Sequence, residues 1–101
     1  MNYREIVQDV IMEHKNSPID IFGIGAATGE YQYLSSLEES YIRTIRDIDN
    51  LWEKRSANRS ILEIGSFLGI VSISLKKIGY NVNALDIPEF YQSPSLRSLY
   101  E

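Results

Sequence analysis

The chain contains no cysteine and a single histidine. The first absence removes a disulfide framework, a thiolate nucleophile and a thiolate metal site together. The second rules out a multi-histidine metal centre and leaves His14 as a solvated residue on a helix. Long apolar runs are also missing: nothing approaches the roughly 20 uninterrupted apolar residues of a membrane-crossing helix. Met1-Asn2-Tyr3-Arg4-Glu5 carries no basic stretch leading into an apolar one, so neither a secretory signal nor a transit peptide is legible. A soluble, cytoplasmic protein is the default expectation. Basic charge is not in excess either. A net charge of -4 argues against sequence-independent binding of nucleic acid, which needs a basic surface to displace counterions. Acidic residues gather before Asn50, whereas Lys54, Arg55, Arg59, Lys76 and Lys77 leave the second half nearly neutral to slightly basic. Solvated helix faces account for both groups.

With 101 residues the chain has room for one small domain. It divides into an amino-terminal helical region, 1–57, and a β-α-β unit, 58–101. From Tyr3 to Lys15, apolar Ile6, Val7, Val10 and Ile11 follow helical spacing. Asn16-Ser17-Pro18 ends that helix, because proline disfavours helical geometry in the residue before it. Ile19 to Ala27 fits a short strand or a buried loop. Ser35 and Ser36 are candidate N-caps with Glu38 and Glu39 three residues on, so a second helix is predicted from there to about Lys54. Leu37, Tyr41, Ile45, Ile48 and Trp52 would form its packed face. Gly23 to Gly29 has the look of a nucleotide loop. It lacks a surrounding strand-helix-strand unit, and it reads as an entry segment with Tyr31 or Tyr33 just beyond, able to cover a pocket.

The last third is the most informative. Ile61 to Ile64 reads as a buried strand, Gly65 to Gly69 as a tight turn, and Ile70 to Ile78 as a helix closed by Gly79. Asn81 to Leu85 reads as a second strand, parallel to the first, ended by Asp86 and Pro88. The tail from Ser93 to Glu101 begins a further helix.

The segment Ile61-Leu62-Glu63-Ile64-Gly65-Ser66-Phe67-Leu68-Gly69 resembles the first motif of class I, Rossmann-like methyltransferases, and Val82-Asn83-Ala84-Leu85-Asp86-Ile87 resembles the next. The resemblance spans roughly Ser60 to Phe90 and implies an incomplete α/β fold of that kind, its amino-terminal helices followed by a parallel β-α-β unit. It further implies S-adenosylmethionine as cofactor, bound by Glu63, Gly65, Ser66, Phe67, Gly69, Asp86 and Ile87. Gly65 and Gly69 would let the backbone approach the ligand, and amides at the start of the helix would receive its carboxylate. Glu63 would face the methionine ammonium, Asp86 the ribose hydroxyls, and Ile87 the adenine. Phe67 stands where the commoner pattern has glycine. A pyrophosphate needs that glycine for close approach, so a nicotinamide or flavin dinucleotide is disfavoured.

Plainer roles remain open beside these. Gly65 and Gly69 would serve equally as turn residues, Asp86 as a cap ahead of Pro88, and Glu63 as the partner of Arg59 or a lysine. If the resemblance holds, the reaction is methyl transfer to an unidentified acceptor, and no residue named here makes or breaks a bond. Two strands alone would leave apolar edges unpaired. The expectation is therefore a portion of a longer protein, or a sheet completed by a second copy. The rival reading is a non-catalytic α/β binding or assembly module that offers its acidic helix to a partner. A nucleotide-dependent oxidoreductase fragment is a weaker third.

Overall fold

A computed structural model describes residues 1–16, 27–53, 59–86 and 97–98, apart from the side chains of 27–30, 52 and 53. It is a mixed α/β arrangement of four helices and an open sheet of two parallel strands among the described residues. Helix α1 spans Tyr3–Asn16, α2 Ala27–Ser36 and α3 Glu38–Glu53. Strand β1 is Ser60–Ile64, α4 Ile70–Ile78 and β2 Asn81–Leu85.

Helix α1 begins on a cap that the sequence spells out locally. The Asn2 side-chain oxygen accepts the Glu5 amide at 3.0 Å, and the Asn2 side-chain amide donates to Glu5 Oε2 at 3.3 Å. Val7, Val10, Ile11 and His14 then fall on one face and are buried. His14 is only 1% exposed, not solvated as expected. The reason is its position, which continues the 7, 10, 11 stripe by one further helical step.

The second predicted helix is α3, close to its expected limits, and a further helix, α2, precedes it. Leu37 separates the two, with its amide donating to Leu34 O at 3.1 Å before α3 starts. Ser35 and Ser36 close α2 and do not cap α3. Ser36 Oγ donates back to Tyr33 O at 2.6 Å, while Glu38 and Glu39 reach across to Arg4 of α1 at 3.2 and 2.5 Å. Helix α2 also begins inside the glycine-rich segment, so Gly29 is helical and the helix does not wait several residues beyond it. The rest of Gly23 to Gly29 before Ala27, most of Ile19 to Ala27, the connector from 54 to 58 and Ile87 lie outside the described residues. Of the tail from Ser93 onward only Arg97 and Ser98 are described, both helical.

The β-α-β unit follows its expected limits closely. Ser60 pairs with Asn81 and Ile64 with Leu85 in parallel register. Gly79, at φ 121°, ends α4 with its amide donating to Leu75 O and Lys76 O. One core joins both halves of the chain: Val7, Val10, Ile11, Leu34, Ile42 and Ile45 cluster with Leu68, Ile70, Ile73, Leu75 and Tyr80. Among the described residues, the sheet is covered on one side. Ile61 and Val82 pack on that core, whereas Leu62 is 56%, Ile64 78% and Leu85 53% exposed. The expectation of a buried strand over Ile61 to Ile64 is corrected: Ile61 and Glu63 are partly buried and Leu62 and Ile64 exposed, because alternate side chains leave opposite faces and the core lies against one.

A single buried acid ties the layers together. Asp49 of α3 is 6% exposed and accepts the Tyr3 hydroxyl at 2.6 Å and the Tyr80 hydroxyl at 2.7 Å. The Arg59 guanidinium lies 5.2 Å over the Tyr80 ring. Among the described residues, no helix is long and apolar enough to cross a membrane.

Candidate functional site

The turn between β1 and α4 holds three residues in the left-handed region: Gly65 at φ 75°, Phe67 at φ 52° and Gly69 at φ 79°. For the glycines this conformation is sterically free, whereas for Phe67 it costs about 1–2 kcal/mol. Hydrogen bonds hold the turn against the carboxyl end of β2. The amides of Gly65 and Ser66 both donate to Leu85 O, at 2.7 and 3.1 Å, and Gly69 N–H donates to Ser66 O at 2.8 Å. The strained residue has its own anchor, since Phe67 N–H donates to Asp86 Oδ2 at 2.6 Å. Asp86 therefore sits at the end of β2 with its carboxylate turned back onto the glycine turn. This bond was not among the roles considered from sequence, and the turn ahead of Pro88 lies outside the described residues. A carboxylate has acceptor capacity for more than one donor, so a ligand hydroxyl is compatible with that bond.

Glu63 lies one strand over, near the end of β1. It accepts a hydrogen bond from the Ser72 hydroxyl in the first turn of α4, where the Ser72 backbone amide also favours its charged form. Gly69 offers no side-chain cap there, so the Glu63 carboxylate takes that place at the positive end of the helix. Arg59, the ion-pair partner considered for Glu63, is over Tyr80 instead. Burial raises the Glu63 carboxyl above its ordinary range; the Ser72 bonds oppose this, and the nearby Asp86 charge adds to it.

Two aromatic groups from the helical region reach the same place. The Tyr33 ring of α2 meets the Phe67 ring edge to face, with centroids 6.0 Å apart and planes at 80°. Phe67 thus turns toward α2 and packs on the core, while Tyr33 stays 46% exposed. Tyr41 of α3 is half-buried. Its phenol is pushed up to about 12, by burial first and then by Tyr33 and Glu63, so it remains a neutral donor. Gly65 faces open space: a Cβ built there would meet nothing within 4 Å. Ser66 is buried.

Six of the seven residues expected at the site, Glu63, Gly65, Ser66, Phe67, Gly69 and Asp86, are thus brought together at the carboxyl ends of the strands. Ile87 is the seventh, outside the described residues. Sequence reasoning missed Ser72 and Tyr41. Ser72 was legible as the third residue of a helix whose start has no capping side chain, and Tyr41 was counted only as core. Tyr31, considered with Tyr33 as a cover, is elsewhere. It lies under Lys15, whose Nζ is 4.8 Å from the ring centroid. There it helps line a cavity of about 190 Å³ with Gln8, Ile11, Met12, Ser35 and Glu38. That volume is below the roughly 300–1,000 Å³ of ordinary ligand pockets.

A glycine turn, a helix start and two carboxylates on adjacent parallel strand ends can bind and orient a polar, partly cationic ligand. Searches of family models, of curated proteins and of solved structures yield no match to this chain.

Proposed function

We propose that this chain is the S-adenosylmethionine-binding portion of a methyltransferase acting on an acceptor that the site does not identify. The observation that carries the reading is the meeting of the left-handed turn, the α4 start, Glu63 and Asp86 at the ends of β1 and β2. The open space beside Gly65 and the half-buried carboxylates fit a ligand bearing an ammonium and ribose hydroxyls. When bound, the cofactor supplies an already activated methyl group on its sulfonium. The chain's residues then bind, orient and exclude water. Glu63 would face the ammonium while staying anchored by Ser72. Asp86 would accept ribose hydroxyls while its second role, holding Phe67, keeps the turn in shape. Phe67 replaces the glycine that a dinucleotide turn requires at this position, which argues for a ligand without a pyrophosphate.

One observation favours a second reading, a non-catalytic binding or assembly module. Leu62, Ile64 and Leu85 give the sheet an exposed apolar face suited to a partner. Calorimetry separates the two. The chain is expected to bind S-adenosylmethionine or its demethylated product more tightly than NAD or FAD, and Asp86→Ala is expected to weaken that binding by about 1.5–3 kcal/mol. Tighter binding of a dinucleotide, or no binding of either sulfur ligand, overturns the methyltransferase reading.

A further inference from the structure

The β-α-β unit accounts for the carboxylates and the turn, but not for the aromatic ring set against them from outside. Tyr33 belongs to α2, thirty-four residues before Phe67, and only packing brings the two together. The contact stabilises a turn residue in a conformation unfavourable to a phenylalanine, and it also fixes the Tyr33 ring beside the turn. Phe67 spends its ring on the core, whereas Tyr33 keeps nearly half its surface exposed. An exposed aromatic face attracts a cation within about 6 Å of its centroid. The chain uses this attraction elsewhere, with Lys15 over Tyr31 and Arg59 over Tyr80. Tyr41 feels the charge of both Tyr33 and Glu63, whose carboxylate accepts the Ser72 hydroxyl.

We propose that Tyr33 is the aromatic wall of the cofactor site and recognises the positive charge of the sulfonium. This rests on the S-adenosylmethionine reading above. It assigns selection between charged cofactor and neutral product to a residue outside the β-α-β unit. A ring held edge to face by Phe67 is ordered before the ligand arrives, so little freedom is lost on binding.

The test is calorimetric titration of the full chain, unaltered and as Tyr33→Leu and Tyr33→Phe, with S-adenosylmethionine and separately with S-adenosylhomocysteine. Thermal melting follows the fold of each variant, and Tyr33→Gln replaces the leucine variant should that one fail to fold. Tyr33→Leu is expected to weaken S-adenosylmethionine binding about three- to tenfold while changing that of the neutral product less than about twofold, and Tyr33→Phe is expected to restore the difference. Equal losses for both ligands, or no loss, overturn the role of Tyr33 and leave the cofactor reading standing. Failure of the unaltered chain to bind either ligand overturns both.

Discussion

Replacing Asp49 with alanine removes the one carboxylate that α1, α3 and the connection from α4 to β2 share. It accepts two short phenolic hydrogen bonds, at 2.6 Å from Tyr3 and 2.7 Å from Tyr80. Hydrogen bonds to a charged group contribute about 1.5–3 kcal/mol each, so the gross loss is about 3–6 kcal/mol. Two effects modify it. The buried carboxylate carries a desolvation penalty that alanine lacks. Tyr80, only 3% exposed, keeps a hydroxyl stripped of its acceptor, whereas the half-buried Tyr3 can turn to water. A net loss of about 2–4 kcal/mol is expected, a large share of the roughly 5–15 kcal/mol typical of such a domain. In melting temperature this is about 10–25 °C. Asp49→Asn keeps an acceptor without the charge and is expected to lose about 1–2 kcal/mol. Urea unfolding followed by circular dichroism measures both. The pH dependence gives a second check. Burial alone would raise the Asp49 carboxyl, but the Tyr3 and Tyr80 bonds, helped by Arg59, outweigh it and hold the group below its ordinary value of 3.8. Its stabilisation is therefore present above that value and lost as pH falls through the lower native one, a slope that Asp49→Asn should remove. A loss below about 1 kcal/mol for the alanine variant, or an unchanged acid slope for the asparagine variant, would refute the reasoning.

Two further outcomes are expected. The Glu63 carboxyl is raised, chiefly by burial, so its contribution is fully present below the ordinary value of 4.5 and is lost as pH rises through the raised native value. Glu63→Gln should flatten that decline in urea midpoints measured from acid to neutral pH; an unchanged slope would place the titration elsewhere. Ile64 is 78% exposed beside Leu85 at 53%, and an apolar sheet face of this kind favours self-association. Ile64→Lys should lower the sedimentation-derived mass of any associated species without lowering the melting temperature by more than about 4 °C. Association untouched by the substitution would exclude this face as its cause.

The sequence by itself determined those features that depend on neighbours in the chain. Helix α1 was legible in the spacing of Val7, Val10 and Ile11 and in the proline after Asn16. The β1–α4–β2 run was legible in an apolar segment, two glycines that tolerate positive φ, and Gly79 at the helix end. These are local steric and hydrogen-bonding preferences, and nothing distant is needed to satisfy them. Six of the expected site residues were found together for the same reason: a parallel register and a short turn leave few other places for Glu63 and Asp86. The tertiary structure decided the rest. Glu38 and Glu39 turn from capping to Arg4 because α1 lies beside them. His14 is buried because the core meets its face of α1. Phe67 accepts a left-handed conformation because Asp86 holds its amide and Tyr33 meets its ring, partners 19 and 34 residues away respectively. Periodicity states which residues share a face but not what that face will meet, because the partner is supplied by packing across the chain and not by spacing along it.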